Sequence, residues 1–163
     1  VTHYDVTAIC HTSSLPFPSF TTSIQRVFFL PHLVKRWTGP FNLAVLLKSK
    51  KEEDYLNNFF LKNPLPSSLK VFRYVTISSE NPFNRLRNIA IRHTTTSHYW
   101  VMDMDMWPSQ DAYKTLMSLD DQYLRDDYLA VIVPCFAYKR IRVARRLRSV
   151  RMNEFCSFSS CIE

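Results

Sequence analysis

Tyr99-Trp100-Val101-Met102-Asp103-Met104-Asp105-Met106-Trp107-Pro108-Ser109 begins as a strand and ends as a break. The aromatic and β-branched residues at its start suit a strand running to Met102, and Trp107-Pro108-Ser109 stops it ahead of a helix over about residues 110–119. In extended backbone, residues i and i+2 point to the same side, so Asp103 and Asp105 are expected to converge just past the strand's carboxyl end. Open α/β sheets gather their ligands at that end. Two carboxylates there suit Mn²⁺ or Mg²⁺, whose remaining positions bridge a diphosphate. Spacing alone also fits two solvated acids at a strand-to-helix turn, or acids that cap the next helix.

Working outward, strands and helices alternate. Residues 6–10 read as a first buried strand and 41–47 as a second, while 71–77 form a third that is rich in β-formers. Residues 23–37 read as a helix whose interior Pro31 should break or kink it, because proline lacks a backbone donor and clashes with the preceding turn. Residues 50–61 make a helix with Tyr55, Phe59 and Phe60 on its apolar side, closed by Pro64 and Pro66. Asn81 is placed to cap, and Pro82 to open, a helix reaching about His93. Phe83, Leu86 and Ala90 share one side of that helix. Asn84, Arg87 and Asn88 share another, as a polar stripe that also fits a solvated face. Residues 128–133 read as a further buried strand. The pattern is that of an α/β sheet.

Composition narrows the chemistry. Gly39 is the only glycine, which excludes phosphate binding by a glycine-rich loop; a phosphorylated ligand must be met by side chains or by a metal on carboxylates. The formal charge of +7 is carried entirely by Lys139, Arg140, Arg142, Arg145, Arg146, Arg148 and Arg151, a segment without acids. A basic body built for nucleic acid is therefore not implied, although the segment alone could sit on an anionic surface as an amphipathic helix. No run of roughly 18 apolar residues occurs. Cys10, Cys135, Cys156 and Cys161 lack zinc-like spacing, and Cys10 and Cys135 read as buried thiols. His93 and His98 read as structural or surface residues rather than metal ligands.

The ordered runs Arg36-Trp37-Thr38-Gly39-Pro40, Asn81-Pro82-Phe83-Asn84-Arg85-Leu86-Arg87-Asn88-Ile89-Ala90 and Asp103-Met104-Asp105-Met106-Trp107-Pro108-Ser109 resemble glycosyltransferase family 49. The apolar run from Leu129 to Pro134 with Phe136 adds to the likeness. The resemblance implies a GT-A-like, Rossmann-like fold over residues 1–138, incomplete on its C-terminal side, with residues 139–163 outside the family pattern. It implies a Mn²⁺ (or Mg²⁺) dependent, inverting glycosyltransferase that moves a sugar, glucuronate or another UDP-sugar, from a nucleotide-sugar donor to a glycan or glycoprotein acceptor. Asp103 and Asp105 would bind the metal. Asn84, Arg87, Asn88 and Asp103 would line the donor site. The general base is expected outside this chain, since nothing singles out Glu80, Asp111 or Asp127. The resemblance also implies a Golgi-lumenal domain of a single-pass membrane protein whose anchor lies outside these residues, with no nucleic-acid partner. The alternative is a truncated, non-catalytic nucleotide-sugar-binding or scaffold protein without turnover.

Overall fold

A computed structural model of the chain describes residues 4–12, 23–76, 82–126 and 128–134. The chain divides into two compact units, residues 1–118 and 119–163. The first holds a four-stranded sheet of β1 (Val6–Thr12), β2 (Phe41–Leu47), β3 (Leu69–Val75) and β4 (His98–Val101), in the order β3-β2-β1-β4. Every pairing is parallel. Consecutive strands step from β1 outward to β3, and β4 then returns to the other side of β1. The strand order therefore reverses between β1 and β4.

Helices cover both faces, as an all-parallel sheet requires. The 3-10 segment Ser23–Phe29 continues into α1 (Leu30–Arg36), and with α2 (Lys50–Lys62) it packs on one face. Ile24, Val27, Leu30, Leu33 and Leu56 meet Val6, Ala8, Cys10, Leu43, Val45 and Leu47 there. On the other face Leu86 and Ala90 of α3 (Phe83–Arg92) meet Ile9, Ala44 and Leu46. Strand periodicity of two sorts these residues, and the unbroken burial of β2 follows from its being covered on both sides. Side chains close two of the helix ends. The Ser49 side chain accepts from Glu52 N at 3.3 Å to start α2, and buried Asn42 donates to Ala90 O at 3.0 Å at the end of α3.

Several expectations shift by a residue or two; three change in kind. Pro31 does not break its helix, because it falls in the first turn of α1, where the missing N–H has no intrahelical partner to lose. The winding changes from 3-10 to α one residue before it. Pro82 is the residue flanking α3 and not its first helical position, with φ −83° and ψ 48°; Asn81 lies outside the described residues. Residues 128–133 are not a buried strand. They carry no regular structure, and Tyr128 is 99% and Ile132 87% exposed. An apolar β-branched run is suited to a ladder, but among the described residues no strand pairs with it. Helix α4 (Ala112–Met117) follows the Trp107-Pro108 break as expected. The second unit contains one short helix among its described residues, α5 (Asp121–Leu124), whose start is capped by Asp120 accepting from Gln122 N. Cys10 is buried as expected, while Cys135, Cys156, Cys161 and the basic segment lie outside the described residues.

Candidate functional site

The sequence placed its carboxylates at the end of β4, and the fold makes that position the point where the strand order reverses. Met102 N donates to Ile9 O at 3.1 Å, carrying the β1–β4 pairing one residue past the strand. The chain then turns, with Met106 N donating to Asp103 O at 3.0 Å. Met102 and Met104 are each 1% exposed and belong to the core on the α1 side. Asp103 and Asp105 alternate with them and face solvent. Burying the two thioether chains at roughly 25 cal/mol per Å² of apolar surface anchors the turn and forces the carboxylates outward.

Each carboxylate has its own arginine. Arg87 Nη2 of α3 lies 4.0 Å from Asp103 Oδ1, and Arg26 Nη1 of the 3-10 segment lies 3.7 Å from Asp105 Oδ2. These arginines come from elements on opposite faces of the sheet. The side chains are between 32% and 54% exposed, so each pair contributes no more than about 1 kcal/mol. The Arg87 Nε is buried and has no hydrogen-bond partner among the described residues, a condition that costs ~1–3 kcal/mol and calls for a reason. Of the polar stripe on α3, only Arg87 reaches the carboxylates; Asn84 and Asn88 stay exposed. Pro82, Phe83, Asn84, Arg85 and Arg87 line an open depression of about 510 Å³, within the size range of ligand clefts.

The loop after the carboxylates is tied to α1. Arg36, 9% exposed, donates through Nη1 to Pro108 O at 3.3 Å and stacks over Trp107 at 5.8 Å. Phe29 and His32 also pack on the Trp107 ring, at 5.8 and 5.5 Å. Trp37 donates to Pro40 O at 2.8 Å and lies edge-on to Tyr113. Gly39 is required by contact, since a Cβ there would stand 2.8 Å from Tyr113 Cζ and closer still to two other ring atoms. The Tyr113 hydroxyl donates to Asp5 Oδ1 at 2.8 Å. Burial, then that hydrogen bond to the carboxylate, pushes its pKa up to about 12. The run from Arg36 to Pro40 thus holds the loop and α4 in place.

Among the described residues no group of three or more His, Cys, Asp or Glu side chains could enclose a cation. The donor set fits Mn²⁺ or Mg²⁺ held in the open manner, by one or two carboxylates with substrate phosphates and water completing the shell. His93 stacks on Phe72 at 4.1 Å and its Nδ1 lies 2.7 Å from Ile89 O, while His98 lies beside Ser97 and Tyr4. Sequence reading missed Arg26 and the role of Arg36. Arg26 is the one charged residue of Ser23–Phe29, which is a signal, but its pairing depends on a turn nearly eighty residues away.

An all-parallel open sheet with helices on both faces and a point of strand reversal defines an open α/β domain, a class whose ligands gather at such a reversal. Residues 64–150 match the family described as "Glycosyl-transferase for dystroglycan", and the chain belongs to that glycosyltransferase family, family 49. It is 28% identical over 142 residues to the xylosyl- and glucuronyltransferase LARGE2 of Rattus norvegicus, covering 80% of this chain and 20% of that protein. It is 29% identical over 128 residues to the xylosyl- and glucuronyltransferase LARGE1 of Homo sapiens, covering 75% of this chain and 16% of that one. The glycosyltransferase-like protein gnt14 of Dictyostelium discoideum is 27% identical over 120 residues, 71% of this chain and 19% of that protein. The chain thus spans about a fifth of the length of these relatives. No helix of the described residues is long and apolar enough to cross a membrane.

Proposed function

We propose that this chain supplies the nucleotide-sugar side of a metal-dependent glycosyltransferase that moves a sugar from a UDP-type donor to a glycan hydroxyl. The observation that carries the reading is the position of Asp103 and Asp105, held outward by buried Met102 and Met104 at the β1–β4 reversal. In this reading both carboxylates hold Mn²⁺ or Mg²⁺. When bound, the ion supplies Lewis-acid stabilisation of the diphosphate leaving group. The residues of the chain do the rest of the positioning. Asn84, Arg87 and Asn88 on α3 line the donor, with the depression beside Asn84 and Arg87 receiving part of it. Arg36 fixes the Trp107-Pro108 loop that follows the carboxylates.

The names of the relatives favour xylose or glucuronate as the sugar transferred. Likeness to the family also favours a Golgi-lumenal setting and a membrane anchor outside these residues. Calorimetric titration of the 163-residue chain with UDP, with and without Mn²⁺, tests the reading. Metal-dependent binding lost in Asp103→Asn and Asp105→Asn supports it. Binding that ignores the metal and both substitutions, in variants whose circular dichroism matches the parent, removes its basis.

A further inference from the structure

Arg26 and Arg87 each lie within 4.0 Å of one of the two carboxylates, at 3.7 Å from Asp105 and 4.0 Å from Asp103. We propose that Arg26 and Arg87 act as an exchange pair: each neutralises one carboxylate at rest, then turns to the donor's diphosphate when a divalent ion takes the carboxylates. The inference rests on the function proposed above and adds Arg26, which no motif of the sequence singles out, to the donor-binding residues.

Three observations carry it. Both contacts are long and partly solvated, at 3.7 and 4.0 Å, so the arginines are held in place but not locked. They come from the 3-10 segment and from α3, which pack on opposite faces of the sheet, so their guanidinium groups flank the carboxylate turn from two elements. The Nε of Arg87 is buried without a hydrogen-bond partner among the described residues, so the side chain's present position leaves a donor unmet, and a swing toward a phosphate oxygen would relieve that cost. Charge makes the exchange cooperative. Two carboxylates and two arginines are balanced at rest, and an arriving dication releases two positive forks at the place where the diphosphate must be neutralised. The same geometry makes Arg26 a repulsive neighbour for the metal alone and an attractive one for the metal with nucleotide.

That opposition in sign gives the test. The full chain is titrated with Mn²⁺ alone by electron paramagnetic resonance, then with UDP at saturating Mn²⁺ by calorimetry, as parent, Arg26→Gln, Arg26→Lys and the charge control Lys35→Gln. Arg26→Gln is expected to bind Mn²⁺ about threefold more tightly, because a like charge has gone. It should bind UDP about tenfold more weakly, because a charge-assisted hydrogen bond has gone. Arg26→Lys should keep the parent's Mn²⁺ affinity, and Lys35→Gln should move neither quantity. If Arg26→Gln fails the circular-dichroism check, Arg26→Lys carries the test, with a loss in UDP affinity only. Affinities that stay at parent values, or move in the same direction, overturn the exchange while leaving the carboxylate site standing. A parent chain that binds no UDP with Mn²⁺ overturns both.

Discussion

Gly39→Ala tests how the Arg36–Pro40 run supports the site. The added methyl would stand 2.8 Å from Tyr113 Cζ and closer to two further ring carbons, whereas relaxed carbon contacts lie near 3.5–4.0 Å, so the ring must retreat by roughly 1 Å or more. It has little room, being edge-on to Trp37 with centroids 5.1 Å apart and tethered to Asp5. Overpacking by one methyl costs ~1–3 kcal/mol, and stretching a partly exposed hydrogen bond to a carboxylate adds about 1 kcal/mol. The expected loss is about 2–4 kcal/mol, which urea unfolding followed by circular dichroism reads as a midpoint about 1–2 M lower. In a Tyr113→Ala background the overlap is gone. Gly39 does not sit in the left-handed region, so alanine there should then be neutral or slightly stabilising, by up to ~1 kcal/mol, through the unfolded chain. An equal penalty in both backgrounds would refute the steric account, since the cycle would show no coupling between the two positions.

Two further perturbations follow from the same packing. The Tyr113 pKa is raised to about 12, against about 10 in an unfolded chain. The unfolded state therefore loses its proton first, and the stability linked to Tyr113 is full below pH 10 and lost as pH rises from 10 to 12. Tyr113→Phe should remove that part of the alkaline loss, measured as a smaller drop in urea midpoint between pH 9 and 11 than the parent shows. Arg36→Met keeps the side-chain volume but drops the donation to Pro108 O and the stacking on Trp107. It is expected to weaken UDP binding at saturating Mn²⁺ by about tenfold, with the far-ultraviolet spectrum unchanged; full binding by a folded Arg36→Met would show that the loop does not need this anchor.

Much of this fold is legible in the chain because its signals are local. Phe41–Leu47 is apolar almost throughout and lies between punctuating residues, so a doubly covered strand is the simplest reading, and it is what forms. The alternation of Met102, Asp103, Met104 and Asp105 likewise survives folding, although the extended backbone ends at Val101 and a turn takes over. What was not legible depends on partners far away in sequence. Residues 128–133 have a strand's composition, but composition does not supply a neighbouring strand. Pro31 was read by its usual effect in a helix interior, and its position one residue inside a second winding reverses that effect. The strand order that makes the end of β4 a point of reversal, and the reach of Arg26 across to Asp105, arise only when the elements assemble. The stripe of Asn84, Arg87 and Asn88 was legible as a face, yet only Arg87 is brought to the carboxylates.

The most direct test of the central claim is where a paramagnetic ion settles. Amide resonances of the isotopically labelled chain are followed while Mn²⁺ is added in the presence of UDP. The account predicts early, selective broadening at Met102 to Met106, at the neighbouring end of β1 and along α3 near Asn84 and Arg87. Broadening concentrated instead at the acidic start of α2, around Glu52, Glu53 and Asp54, with the Asp103 turn left sharp, would contradict it.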